Sequence, residues 1–179
     1  MTIGLFGGAF DPPHNGHVGL VEGAVGQLGL ASVVILVSEQ PGHRPVVAPA
    51  DARLRLAIAA FPGRRVELDP YPTTIDLLRA RDFGDGVLLI GADQFRAFPT
   101  WKEPEAVLER VRLAVATRPG YPLPSAETDL SRVSFFEIDP VPVSGTMVRA
   151  RCARGEALSG LVPPTVEQLI RKLGLYREG

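Results

Sequence analysis

The stretch of this 179-residue chain best equipped for chemistry is Gly7-Gly8-Ala9-Phe10-Asp11-Pro12-Pro13-His14-Asn15-Gly16-His17, which follows an apolar run and crosses into a helix pattern. Two imidazoles three residues apart at a helix start can point to one side, beside unsatisfied backbone N–H groups and the positive end of the helix dipole. Such an arrangement suits a polyphosphate. Gly7 and Gly8 let the backbone approach a ligand closely, and Gly16 is expected to leave room for a nucleotide base or ribose. A second helix start, Val143-Ser144-Gly145-Thr146-Met147-Val148-Arg149, adds hydroxyls and a guanidinium. A third segment, Gly91-Ala92-Asp93-Gln94-Phe95 and then Pro99-Thr100-Trp101-Lys102, offers a carboxylate and the chain's only tryptophan. Taken singly, these could be capping histidines, a capped helix with a surface arginine, and a core tryptophan. Together they describe a nucleotide site.

His14-Asn15-Gly16-His17 resembles the His-x-Gly-His motif of the nucleotidyltransferase superfamily, which is related to the class I aminoacyl-tRNA synthetases. The resemblance implies that His14, His17 and Arg149 are catalytic, stabilising charge during in-line attack on the α-phosphate of ATP without a covalent intermediate. Ser144, Thr146 and Arg149 fall in a segment that looks like the family's Ile-Ser-Ser-Thr-x-Ile-Arg motif, so Gly7, Gly8, Ala9, Phe10, Gly16, Ser144 and Thr146 are the implied ATP contacts. Gly91-Ala92-Asp93 and Thr100-Trp101 resemble segments that distinguish nicotinate mononucleotide adenylyltransferases, and imply that Asp93 binds a ribose or orders the site while Trp101 stacks on the pyridine ring. The run from Gly160 to Gly174-Leu175-Tyr176 matches the end of the same family. Departures are Ala9 for a hydroxyl residue, Gly145 for serine, His43-Arg44 where Pro-His-Lys is usual, and Thr73-Thr74-Ile75-Asp76 in place of Ser-Tyr-Thr. Arg44 keeps a cation, and Thr74 falls on the acceptor segment.

The implied reaction is adenylyl transfer from ATP to nicotinate mononucleotide, giving nicotinate adenine dinucleotide and pyrophosphate, with Mg²⁺ arriving on the ATP. Nicotinamide mononucleotide or another phosphorylated acceptor stays open, as does a non-catalytic nucleotide sensor. A dinucleotide-dependent dehydrogenase is disfavoured, since no Gly-x-Gly-x-x-Gly follows the first apolar run. Asp11 is expected to orient His14 or shape the turn, and no dedicated metal site is expected.

These residues need elements to position them. Apolar runs at 2–6, 32–38, 66–68, 87–90, 113–117 and 133–138 predict strands, and patterns at 16–28, 50–60, 74–81, 103–110, 144–154 and 163–173 predict helices. The alternation of apolar strands with helices predicts one α/β domain over 1–179, a Rossmann-like doubly wound parallel sheet with helices on both faces. Ligands are then expected at the carboxyl ends of the strands. The stretch 118–132, rich in proline and hydroxyl residues, predicts an irregular loop. The apolar residues of the second helix are Leu54, Leu56, Ile58 and Ala59, and Arg53, Arg55, Arg110 and Arg112 read as solvated charges.

A net charge of −1 argues against a nucleic-acid partner, although 17 of the 19 basic residues are arginine and can build a local phosphate site. The lone Cys152 excludes an internal disulfide and a thiolate metal cluster. No run is long enough to span a membrane and no secretory pattern opens the chain, so a cytoplasmic protein is expected, with self-association left open.

Overall fold

The computed structural model describes residues 2–42, 45–118 and 130–177. Its strands are β1 Ile3–Gly8, β2 Ser32–Ser38, β3 Arg65–Asp69, β4 Gly86–Gly91, β5 Arg112–Thr117 and β6 Val133–Glu137. Its helices are α1 Asn15–Leu28, α2 Ala50–Ala60, α3 Thr74–Ala80, α4 Ala92–Ala97, α5 Pro104–Arg110, α6 Gly145–Ala153 and α7 Pro164–Leu173. The strands form a parallel sheet in the order β3-β2-β1-β4-β5-β6 with helices on both faces, the doubly wound class that the alternation predicts. Residues 33–37, 87–90 and 113–116 are buried without alternation because a strand covered on both faces has no polar side.

Three local expectations are corrected. β1 continues through Gly7-Gly8, so the turn begins two residues later than predicted. α4 was not anticipated: six residues followed by a single 3-10 turn at Phe98–Thr100 are too short to show a helical period. On α2 the buried residues are Ala52, Arg53, Leu56, Ala57 and Ala60, while Ile58 is 52% exposed. The predicted loop at 118–132 falls mostly on 119–129, outside the described residues; Leu130–Arg132 form a 3-10 turn.

The chain divides into two compact units: Met1–Phe6, Leu20–Val34 and Tyr71–Pro140 in one, Gly7–Gly19, Ile35–Pro70 and Val141–Gly179 in the other. In the first, β4 registers with β1 through Leu5↔Leu88 and with β5 through Leu89↔Ala114, and its core is filled by side chains such as Leu5, Ile75, Leu89, Phe95, Phe98 and Leu113. The edge strand β6 is closed by Gln27, whose side-chain amide donates to Glu137 O at 2.6 Å and accepts from Glu137 N at 3.3 Å, imitating a neighbouring strand. In the second unit, Thr165 donates to Ala59 O at 2.8 Å where α7 meets α2, and Val166 and Ile170 are buried. α7 starts on Pro164 and ends at Gly174, which takes φ 65° as a helix-terminating residue. Among the described residues no helix is long and apolar enough to cross a membrane.

Two glycines of α1 respond oppositely to a methyl group. A Cβ at Gly23 would stand 2.6 Å from Ile138 Cγ2, a branched methyl that cannot swing away, whereas a Cβ at Gly26 meets nothing within 4 Å. Gly26→Ala is expected to stabilise the fold by up to about 1 kcal/mol through helix propensity. Gly23→Ala gains the same propensity but meets an overpacking cost of about 1–3 kcal/mol, so urea unfolding should find it less stable than Gly26→Ala. Equal stabilisation of the two variants would refute the close packing at Gly23.

Candidate active site

The loop after β1 is held from below. Phe10 adopts φ 50°, a left-handed conformation that costs a non-glycine residue about 1 kcal/mol, and buries its ring to 2% exposure. That ring meets His17 edge-on at 5.1 Å and Phe61 at 5.9 Å. Phe10 thus supports an imidazole, and only its backbone could reach a ligand. A Cβ at Gly8 would stand 3.1 Å from the Phe10 ring, so this glycine admits the phenyl group; at Gly7 the corresponding space is open.

His14 and His17 stack with ring centroids 3.7 Å apart. The His14 N–H donates to His17 Nδ1 at 3.2 Å, which leaves the proton of neutral His17 on Nε2. His14 Nδ1 is buried without a hydrogen-bond partner among the described residues. A Cβ at Gly16 would stand 3.1 Å from that nitrogen, so the room expected for a base or ribose is taken up by the His14 ring itself. The helix-start amides are also partly engaged: Asn15 N–H donates to Leu161 O at 2.8 Å and His17 N–H to His14 O at 2.9 Å. Burial, opposed by a weaker backbone hydrogen bond, pulls the His14 pKa down from 6.5 to about 4, so the ring is neutral at pH 7.

In the same unit α6 brings Arg149 to this loop. Its Nη1 donates to Asp11 O at 2.6 Å and lies 3.8 Å from Asp11 Oδ2, and its Nη2 donates to Thr146 Oγ1 at 3.3 Å. Ser144 caps α6 by accepting from Met147 N–H at 3.2 Å. Both hydroxyls keep an O–H to donate. A Cβ at Gly145 would stand 3.1 Å from Asp11 O and 3.2 Å from Arg149 Nη1, so the departure from serine leaves room for that contact. Asp11 shapes the loop: its carboxylate accepts from Val47 N–H at 2.7 Å, Ala48 N–H at 3.0 Å and the Tyr176 hydroxyl at 2.7 Å.

Arg53, expected in solvent, is 1% exposed. It donates to the carbonyls of Ala9 at 2.8 Å, Ser38 at 2.6 Å, Glu39 at 2.9 Å and Ala48 at 3.0 Å. Its place in phase with Ala52, Leu56, Ala57 and Ala60 was the available signal. Tyr176 lies within a recognised segment, yet nothing in the sequence pairs it with Asp11. Arg55 and Arg110 are exposed as expected, and exposed Arg112 pairs with Asp85.

The other unit carries Thr74, Asp93 and Trp101. Thr74 opens α3, and α3 ties down the tryptophan segment: Lys102 Nζ meets Asp76 Oδ1 at 2.8 Å, and Arg79 grips Glu103 through both oxygens at 2.9 and 2.6 Å. The Lys102 and Thr73 hydrogen bonds hold the Asp76 carboxyl below its ordinary range. The partly exposed Trp101 indole lies 5.3 Å from the Phe98 ring. Asp93 stands in the first turn of α4 and pairs with Arg96. Arg44 lies outside the described residues.

Replacing Arg53 with Met should destabilise the protein by about 3–5 kcal/mol, because the carbonyls it serves are left in an apolar setting. Arg55→Ala should stay within about 0.5 kcal/mol, and calorimetry would separate the two. His14 makes a pH prediction: as pH falls from about 6.5 to about 4 the unfolded chain takes up a proton that the folded ring resists, so folding stability declines across that window. His14→Asn should flatten this decline in denaturant titrations at pH 7 and pH 5; an unchanged slope would assign it to other groups.

A cytidylyltransferase-like family model matches residues 5–151. The chain is 41% identical over 189 positions to the probable nicotinate-nucleotide adenylyltransferase of Thermus thermophilus, an alignment spanning 99% of this chain and 100% of that protein. It is 36% identical to the protein of the same description from Rubrobacter xylanophilus, spanning 99% and 92%. Its fold superposes on Plasmodium falciparum nicotinic acid mononucleotide adenylyltransferase with a TM-score of 0.73 at 16% identity, covering 98% of this chain and 97% of that one. That last likeness speaks for the fold alone. By sequence over nearly its whole length, this chain belongs to the nicotinate-nucleotide adenylyltransferase family within the cytidylyltransferase-like nucleotidyltransferases.

Proposed function

We propose that the protein transfers the adenylyl group of ATP to nicotinate mononucleotide, forming nicotinate adenine dinucleotide and releasing pyrophosphate. The observation that carries this reading is the stacked His14–His17 pair beside an Arg149 anchored on the Asp11 carbonyl, in a chain whose relatives bear the corresponding name. A phosphate oxygen of the acceptor forms a new bond to the α-phosphorus as the bond to the bridging oxygen of the pyrophosphate breaks. His17, with Nδ1 occupied, donates from Nε2 to a phosphate oxygen. Arg149 retains N–H groups beyond those given to Asp11 and Thr146, and these would grip the triphosphate.

His14 is neutral before ATP binds. Bringing polyphosphate to its buried ring favours the imidazolium, so its positive charge would form with the anion present. Asp93, Thr74 and Trp101 would serve the acceptor, Trp101 by stacking on the pyridine ring, and Arg44 would add a cation. Mg²⁺ would arrive on the ATP, since the Asp11 oxygens are engaged by Val47, Ala48 and Tyr176.

The test is pyrophosphate release from MgATP with nicotinate mononucleotide, nicotinamide mononucleotide and phosphopantetheine offered separately. Turnover should be fastest with the nicotinate form, and His17→Ala should reduce it on the order of 100-fold or more while leaving the melting temperature within a few degrees. Silence with all three acceptors despite ATP binding would favour a nucleotide sensor.

A further inference from the structure

We infer that Tyr176, on the segment after α7, is a positioning residue for the ATP half of the site, acting through Asp11 on Arg149. This rests on the proposal above that Arg149 grips the triphosphate. Tyr176 is held at φ 61° with its ring 8% exposed, and its hydroxyl donates to Asp11 Oδ1 at 2.7 Å. A phenylalanine would fill the same apolar space, so ring packing does not account for the hydroxyl. Burial and the Asp11 hydrogen bond both push the phenol's ionisation upward, so it remains a donor across the working pH range.

Asp11 links this donor to the site. Its Oδ1 also accepts from Ala48 N–H, its Oδ2 accepts from Val47 N–H, and its backbone carbonyl receives Arg149 Nη1 at 2.6 Å. The carboxylate and the carbonyl belong to one residue, so fixing the first limits movement of the second. Without the phenol, a carboxylate 7% exposed loses a donor, and the Arg149 guanidinium lies 3.8 Å from Oδ2. Asp11 would then compete with the triphosphate for that guanidinium, a substitution that weakens ATP binding without removing any ATP contact.

The experiment compares ATP affinity by titration calorimetry without acceptor, and KM values for both substrates, in wild type, Tyr176→Phe, Arg149→Ala and the double variant, all well below their melting temperatures. Tyr176→Phe should weaken ATP binding on the order of 10-fold with the acceptor KM unchanged, and should add little in the Arg149→Ala background. Wild-type ATP affinity in Tyr176→Phe, even with a lowered melting temperature, would reduce the residue to a packing role and overturn the inference. Fully additive losses in the double variant would do the same. Should Tyr176→Phe fail to fold, Tyr176→Leu, which also removes the hydroxyl and keeps the Asp11 carboxylate, takes its place and must show the same ATP-specific loss. A wild type that binds ATP but releases no pyrophosphate defeats the proposed reaction alone, because this inference is read from ATP affinity.

Discussion

A buried guanidinium holds the loops around His14, His17 and Arg149 in shape. Arg53 serves carbonyls at Ala9, after β1, at Ser38, the last residue of β2, at Glu39 beyond it, and at Ala48, before α2. Loops rarely run through an interior because their backbone groups would be left without partners. Here one planar fork of five donors satisfies several at once, and a lysine, with a compact ammonium, could not span them. Asp11 performs the converse task. Ala48 shows the division of labour, since its N–H goes to Asp11 and its carbonyl to Arg53. Acceptors are collected by a cation and donors by an anion, which makes the loops behave as one rigid support for His14, His17 and Arg149.

Rigidity matters to the histidines because their charge state is conditional. Two imidazoles stacked 3.7 Å apart repel strongly if both are protonated, and burial of His14 favours neutrality further. An anion placed beside the ring pair would favour its protonation. Gly16, by admitting the His14 ring, and Phe10, by backing His17, fix the stack before any ligand contributes. Preorganised donors need no rearrangement as charge develops, which is where catalytic electrostatics gains most.

How much of this was legible follows from what a one-dimensional pattern can carry. Uninterrupted apolar runs identified β2 and β4 because burial on both faces removes polar positions, and the prolines at 163 and 164 marked the start of α7. The first motif located the histidines, but neither their stacking nor the reason for Gly16, since a missing Cβ does not say whose atoms occupy its space. Arg53 was misjudged because its charge was weighed above its phase: it lies on the Leu56–Ala60 face, while the apolar Ile58 is 52% exposed. The partners that justify burying it are at residues 9, 38, 39 and 48, and no local period records them.

The two units are each fastened internally by different forces. Around Asp11 and Arg53 the hydrogen bonds are sheltered from water, where each lost partner is expensive. Around Trp101 the fasteners are the Lys102–Asp76 and Arg79–Glu103 pairs, with side chains from 25% to 48% exposed, whose attraction is screened by solvent and salt. Glu103 itself sits at φ 51°, a strained position, while its carboxylate grips Arg79. A chemically fixed donor such as ATP suits rigid, buried scaffolding. The proposed acceptor segment is tied by pairs that substitution can retune without disturbing a core, and the departures at Thr73-Thr74-Ile75-Asp76 fall there, with Asp76 holding Lys102.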